Sequence, residues 1–449
     1  MTSPTKSTRF TRSRRGFLTR VAVGSSLALA GSRVTTGSSA LGQLNVACVG
    51  VKGMGFADLS NVGKHSSVRF VGFCDIDSER FDQADKQFAN VDHFVDYREM
   101  LTKLSDRVDA VIVSTPDHMH APVAMMAMSL GKHVYCQKPL AHTVWEVRQM
   151  RLLAAKKNLT TQMGNQIHSA SEYRTGVRWI HDGLIGKVHE VHSWVGVNGR
   201  QYCNRLDRPT AIDTPRNVAW DLWLGSAPER PFSPDVYHPF KWRDWQDFGS
   251  GALGDFGCHL LDPVFGALEL TAPISVSAIH DGINEEVWPG PETVVYTFPG
   301  TRRTSASTVQ VTWRDGGLQP PVELAQLPEG VGLPKSGSLF IGESGVMLLP
   351  HVGMPSIYER GKKREIAEKV PGGNHWHAWV DAILEGKKTT DGFDFAGPVA
   401  ETVQLGNIAA RLPGSLIEWD SQNFMIRNSK SANRLLTKSY RPGFEVKPA

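Results

Sequence analysis

The sequence predicts an α/β domain with a doubly wound parallel sheet, followed by an α+β domain with a large, mostly antiparallel open sheet. Three observations carry that expectation. From residue 44 to about 163, apolar strand-like runs alternate with helical stretches, the pattern of a parallel sheet wrapped by helices. A glycine turn, Gly50-Val51-Lys52-Gly53-Met54-Gly55, closes the first of these runs. Beyond residue 165 the strand candidates succeed one another across turns, as antiparallel neighbours do. A chain of 449 residues exceeds one ordinary core, and the change of texture sets the two domains at 41–165 and 166–449.

Taken in order, Leu44 to Gly50 is an apolar strand, and Val68 to Phe73 is a second, closed by Asp75. Ala110 to Ser114 and His133 to Cys136 are later strands. Between them Ala121 to Leu130 reads as a helix that starts near Pro122 and stops at Gly131. After Thr143 a helix runs to about Lys157, and Thr160 to Met163 is the last strand of the domain. The second domain opens on a helix, Ser171 to Asp182. Its strand candidates are Val188 to Val197, Ile274 to Ile279, Thr293 to Phe298, Ser307 to Trp313 and Ser338 to Ile341. The loops after Arg200 are long and aromatic-rich, holding Trp220, Trp223, Tyr237, Trp242 and Trp245.

The first 40 residues have a different character. Ser13-Arg14-Arg15-Gly16-Phe17-Leu18 precedes the short apolar run Val21 to Ala30, which resembles a twin-arginine (Tat) export signal with a cleavage region from Gly37 to Ala40. A periplasmic or otherwise exported location is therefore expected, with the Tat machinery as a transient partner. The run falls well short of the roughly 20 residues that span a bilayer, so no permanent membrane anchor is expected. Seven of the 49 basic residues lie in that segment, which has no acid, leaving 42 basic against 45 acidic residues. The basic balance belongs to the signal, and no electrostatic case for nucleic acid remains. The five cysteines show neither a disulfide framework nor a zinc spacing.

The motifs point to chemistry at the carboxyl edge of the first sheet, where ligands bind in this architecture. The turn from Gly50 to Gly55 lets backbone N–H groups and a helix N-terminus face a pyrophosphate, although Lys52 takes the usual place of a middle glycine. Asp75 follows 20 residues after Gly55, where a carboxylate can accept ribose hydroxyls; it favours NAD over NADP, while Arg80 keeps NADP open. Ser114-Thr115-Pro116-Asp117-His118-Met119-His120 ends a strand and opens a helix at the same edge. His118 with His120, and His375 with His377, lack a third ligand at suitable spacing, so no metal site is expected.

In Tyr135-Cys136-Gln137-Lys138-Pro139-Leu140 the proline bars helix from the residue before it, which holds Lys138 at the strand's end with its ammonium aimed at a ligand. In Gly254-Asp255-Phe256-Gly257-Cys258-His259, Asp255 and His259 are four apart and share a helical face. The carboxylate can then orient the imidazole, or the two are merely a capping acid and a packed histidine. The aromatic residues of the long loop, Trp220, Tyr237 and Trp242 among them, are either core or a sugar-stacking platform.

Together, the glycine turn, Cys74-Asp75, Thr115-Pro116-Asp117, Lys138-Pro139 and the Asp255 to His259 helix resemble the glucose-fructose oxidoreductase / inositol dehydrogenase (Gfo/Idh/MocA) family over essentially the whole mature chain. Trp220-Asp221-Leu222-Trp223-Leu224-Gly225 is similar to its exported branch. The family's usual Glu-Lys-Pro reads Gln137-Lys138-Pro139 here. The resemblance implies a Rossmann domain holding the nucleotide through Gly50, Lys52, Gly53, Met54, Gly55, Asp75, Thr115, Pro116, His120, Gln137 and Lys138. It also implies a substrate between the domains near Trp220, Tyr237, Trp242 and His259, and a homo-oligomer formed through the C-terminal sheet. Lys138, His259 and Asp255 are the implied catalytic residues: His259 takes the proton of a secondary sugar hydroxyl, Lys138 stabilises the alkoxide, and Asp255 holds the tautomer of His259.

An exported enzyme meets no free nicotinamide pool, so the expected function is an NAD(P)-dependent sugar oxidoreductase whose cofactor is tightly bound and recycled. One alternative is an NAD-using glycosidase or lyase that oxidises a glycoside transiently at C3 and eliminates the aglycone. The other is a non-enzymatic sugar-binding protein.

Overall fold

The computed structural model describes residues 42–366 and 368–449, so the expected export signal lies outside the described residues. Six strands form the first sheet: β1 (Leu44–Val49), β2 (Val68–Cys74), β3 (Asp92–Phe94), β4 (Ala110–Val113), β5 (His133–Gln137) and β6 (Thr161–Gly164). All pair in parallel, in the order β3-β2-β1-β4-β5-β6. The order reverses between β1 and β4, which opens a crevice at their carboxyl ends. Because helices cover both faces, β1 and β4 are apolar almost throughout and almost fully buried.

The helix expected to begin near Pro122 begins a turn earlier, at Asp117, and runs to Ser129 with Pro122 inside it. Proline leaves the carbonyl four residues back without its helical partner. That carbonyl, on His118, instead accepts from Ser226 Oγ at 2.7 Å and Lys438 Nζ at 3.2 Å. The helix Val144–Lys156 starts as expected, because Thr143 and Glu146 cap each other's backbone N–H groups.

Ten strands form the second sheet: β7 (Val188–Trp194), β8 (Ser275–His280), β9 (Glu292–Pro299), β10 (Thr308–Arg314), β11 (Gly337–Gly342), β12 (Val346–Pro350), β13 (Ser356–Glu359), β14 (Lys362–Arg364), β15 (Ile417–Asp420) and β16 (Met425–Ile426). Their order is β14-β13-β12-β11-β7-β10-β9-β8-β15-β16, and every pairing is antiparallel except β7 with β10. Residues alternate along β9, with Val294, Tyr296 and Phe298 buried and Thr293, Val295 and Thr297 half-buried on the other face. The helices Gly251–Leu268 and Phe393–Ala410 pack beside this sheet.

One helix from the span assigned to the second domain, 166–449, packs elsewhere. His375–Leu384 packs on the first domain, where Trp379 and Val380 share a core with Val46, Ile112 and Tyr135. Trp376 Nε1 also donates to Asp58 Oδ1 at 3.0 Å. Among the described residues no helix is long and apolar enough to cross a membrane.

Candidate active site

The glycine turn follows β1 and leads into the helix Met54–Val62. Gly50 has φ +85°, and a Cβ there would lie 2.4 Å from the Ser114 carbonyl oxygen; a Cβ on Gly55 would lie 2.0 Å from the Gly50 oxygen. Side chains at these two positions would push the turn off β4 and close the space above it. Over the turn lies a cleft of about 550 Å³ reaching to the second domain. Gly50, Lys52, Gly53, Met54, Asp75, Thr115, Pro116, His120, Gln137, Lys138, Trp242, Asp255 and His259 line it.

Asp75 follows β2 and is anchored by backbone N–H groups, Oδ2 accepting from Val51 at 3.1 Å and Oδ1 from Asp77 at 3.1 Å. Burial nevertheless raises its carboxyl to about 6. The nearby cations are already engaged: Lys52 Nζ donates to Asp82 at 2.7 Å, and Arg80 Nε to Asp77 at 3.0 Å. Thr115 Oγ1 lies at the same cleft, buried and without a partner among the described residues. The glycine cradle, the acid after β2 and this orphaned hydroxyl fit a dinucleotide.

Gln137 explains itself through a residue that sequence reasoning missed. Asp58, fully buried on the helix Met54–Val62, accepts from Gln137 Nε2 at 2.8 Å, Ser114 Oγ at 2.8 Å, Trp376 Nε1 and Tyr135 Oη. Burial raises Asp58 to about 6 against the pull of these donors. An amide at 137 serves this carboxylate, where a second acid would oppose it.

Lys138 stands at the end of β5, and its peptide bond to Pro139 is cis. Its ammonium donates to Asp255 Oδ1 at 2.6 Å and to the Asp255 carbonyl oxygen at 2.7 Å. Tyr202 Oη donates to Asp255 Oδ2 at 2.7 Å, and Arg243 Nε lies 3.7 Å from Oδ1. Burial alone would raise this carboxyl, but Lys138 and Arg243 hold it well below the usual carboxylate range. Asp117, also in the cleft, has no cation bonded to it, and burial pushes it up to about 7.

Asp255 therefore does not orient His259, as the shared helical face suggested. Its carboxylate is taken by the stronger, charged partner on β5, and the imidazole turns to Asn165. His259 Nδ1 lies 2.5 Å from Asn165 Oδ1, while Asn165 Nδ2 donates to Asp262 Oδ2 at 3.1 Å and to the Cys258 carbonyl at 3.3 Å. With its amide nitrogen so committed, Asn165 offers only its oxygen, which fixes the proton of His259 on Nδ1. Nε2 is left as a bare acceptor with no hydrogen bond among the described residues. Burial first, and then Lys138, push His259 well below its ordinary value, so the imidazole is neutral. The arrangement is a base and an ammonium facing one cleft.

Two other expectations change. His120 lines the cleft, but its ring nitrogens lie 2.8 Å from the carbonyls of Pro139 and Thr115, so it braces two turns rather than offering a polar atom to a ligand. Trp220 and Tyr237 do not reach the cleft. They pack with Trp223, Phe232, Trp245 and Phe248 in a core of the long loop's own, where Trp220 stacks on Trp223 at 4.6 Å. Trp242 does line the cleft, with Arg243 4.2 Å from its ring, and Trp223 and Phe240 join it there. Of the paired histidines, His118 meets the Trp223 and Phe248 carbonyls, and His375 meets Ser169 Oγ and the Met163 carbonyl.

A Rossmann domain whose own lysine shares the crevice with a neutral histidine from an open-sheet domain defines a class, the nicotinamide-dependent oxidoreductases with two-domain chains. The comparisons with known proteins narrow it. Residues 44–165 match the model of an oxidoreductase family's NAD-binding Rossmann fold, and residues 177–297 match the same family's C-terminal alpha/beta domain. The chain belongs to the Gfo/Idh/MocA oxidoreductase family, and its first domain is the NAD-binding one. Levoglucosan dehydrogenase of Pseudarthrobacter phenanthrenivorans is 26% identical over 156 residues, which is 34% of this chain and 32% of that protein. Alpha-N-acetylgalactosaminidase of Shewanella oneidensis is 28% identical over 154 residues, 32% of this chain and 33% of that protein. The similarity thus spans about a third of these curated relatives.

Solved structures share the fold more widely. Aldose-aldose oxidoreductase from Caulobacter crescentus, complexed with glycerol, superposes with TM-score 0.57 at 18% identity, covering 84% of this chain and 100% of that one. Levoglucosan dehydrogenase complexed with NADH and levoglucosan gives 0.57 at 17% identity, covering 84% and 99%.

Proposed function

We propose that this protein oxidises a secondary hydroxyl of a sugar or sugar derivative, with a nicotinamide cofactor that it keeps and recycles. The observation that carries the reading is the pairing of a neutral His259, its Nε2 bare, with the Lys138 ammonium in one cleft above the glycine turn. Gly50, Gly53, Gly55, Asp75 and Thr115 would hold the cofactor, which when bound supplies the hydride acceptor. The cations that could attract a 2′-phosphate, Lys52 and Arg80, are paired with Asp82 and Asp77, which supports NAD over NADP. His259 Nε2 takes the hydroxyl proton, Asn165 stabilises the imidazolium that results, and Lys138 stabilises the negative charge on the substrate oxygen. Asp255 positions Lys138.

The alpha-N-acetylgalactosaminidase relative supports a second reading, in which a glycoside oxidised at C3 loses its aglycone and the redox state is restored within the turnover. The same proposal includes export through the twin-arginine signal and self-association through the outer face of the second sheet, where Ile279 is 70% exposed.

Mass spectrometry of the purified protein for copurified NAD or NADP tests the first reading, followed by product analysis on free sugars and on glycosides. An empty protein that turns over only with continuously supplied NAD would point to an ordinary dehydrogenase. Released aglycone without net NADH would establish the second reading. Replacing Arg14 and Arg15 with lysine should leave active protein in the cytoplasm.

A further inference from the structure

Behind the cleft, three side chains from separate parts of the chain converge. His168 stands in the turn Gln166–Ser169 that follows β6, Asp262 lies on the helix Gly251–Leu268, and Asp391 precedes the helix Phe393–Ala410. Each offers one ligand atom within 4.8 Å of the others. His168 Nδ1 lies 2.8 Å from Asp262 Oδ2, and Nε2 lies 3.0 Å from Thr390 Oγ1. With Thr390 accepting from Nε2–H, Nδ1 is the nitrogen directed at the carboxylates.

Asp391 is the observation that demands an occupant. It is 1% exposed, and among the described residues neither of its carboxylate oxygens has a hydrogen-bond partner. Buried carboxylates are ordinarily hydrogen-bonded, paired or bound to a metal. One imidazolium proton satisfies Asp262 but leaves the second acid unmatched, whereas a divalent cation matches two carboxylates. Access exists through a side cavity of about 320 Å³, lined by His168, Asp262, Tyr173, Arg174 and Phe395. Arg174 and Arg178, which also lines it, would oppose a cation, but Arg178 is paired with Asp182 at 2.7 Å and both stand on the cavity wall rather than among the three.

We propose that His168, Asp262 and Asp391 form a binding site for a divalent transition-metal ion. One nitrogen and two carboxylates suit Zn²⁺ or Mn²⁺ better than Ca²⁺ or Mg²⁺, which prefer oxygen alone. Binding displaces the His168 Nδ1 proton, and water completes the coordination. The ion would sit one link behind the active site, since Asp262 Oδ2 also holds Asn165, which holds His259.

The test uses the purified full chain, stripped of metal by a chelator and dialysed against Zn²⁺ or Mn²⁺, with bound metal measured by mass spectrometry. Wild type should retain one equivalent. Asp391→Asn, which keeps shape and removes charge, and His168→Gln should each bind at least tenfold more weakly, with near-ultraviolet circular dichroism unchanged. If Asp391→Asn does not fold, His168→Gln decides alone. Crystals soaked in Mn²⁺ should show an anomalous peak between the three side chains. A wild type that retains no metal, a folded variant that retains it at wild-type affinity, or an anomalous peak elsewhere would overturn the proposal.

Discussion

Lys138→Met should damage both turnover and stability, and the two effects can be separated. The Lys138 and Asp255 side chains are 13% and 14% exposed, so this is a largely buried pair, little screened by solvent. Breaking such a pair from one side costs about 3–5 kcal/mol, because the remaining charge is stranded. Here Tyr202 Oη at 2.7 Å and Arg243 at 3.7 Å stay on Asp255, which argues for the lower end, about 3 kcal/mol. The second substitution, Asp255→Asn, removes the stranded charge, so Lys138→Met/Asp255→Asn should recover most of that loss.

Turnover should not recover, since the group that meets the developing alkoxide is gone; a fall of about 10²-fold or more is expected in both variants. The pH dependence has a definite sign. Asp255 is depressed in the folded protein, so its stabilisation is present above the unfolded carboxylate value and fades as pH falls through the folded one. The gap between wild type and Lys138→Met should therefore narrow in acid, below about pH 4. Urea unfolding across pH, with nicotinamide absorbance on an active sugar, measures both. Full stability of the single variant, or turnover within tenfold of wild type, would refute the reasoning.

Asn165→Ala strands a buried imidazole N–H, a loss of about 1–3 kcal/mol, so kcat should fall about tenfold or more with KM little changed. In the wild type the rate should show no histidine limb near pH 6.5, because His259 is held neutral well below that value; steady-state rates against pH check both statements. Asp75→Ala should weaken NAD binding about tenfold and narrow the preference over NADP, as read by calorimetry with each nucleotide. Gln137→Glu sets a second carboxylate where an amide now donates to Asp58 at 2.8 Å, and should cost about 1–3 kcal/mol at neutral pH. Asp58 is raised on folding, so stability falls as pH rises from the unfolded value through about 6; the variant should extend that fall to higher pH in urea titrations.

Features written locally in the chain were legible in the sequence. The turn from Gly50 to Gly55, Asp75 at the next strand's end, Lys138 before its proline and the four-residue spacing to His259 are all short-range signals. What a sequence cannot weigh is competition between partners far apart in it. Asp255 had a plausible neighbour four residues away, but the ammonium 117 residues earlier won. Asn165 lies 94 residues before His259, and Asp58 79 residues before Gln137; only the tertiary fold joins them. Clustered tryptophans carry no mark to separate a loop's core from a sugar platform, which is why Trp220 and Tyr237 were misplaced. The strands β12 to β16, which make up the two flanks of the second sheet, escaped notice because they are short and fall among turns.

The returning helix His375–Leu384 has a practical meaning for anyone dissecting this molecule. A fragment cut after residue 165 would hold all six strands of the first sheet yet lack the two tryptophans that cover them. Val46, Ile112 and Tyr135 would lose the cover of Trp379, and Asp58 would lose its indole donor. Such a piece should be sticky and poorly soluble, however complete it looks on a linear map. Swapping nucleotide specificity between relatives by exchanging N-terminal halves would meet the same obstacle. The transplantable module is discontinuous, and its last part is encoded more than 200 residues after the rest.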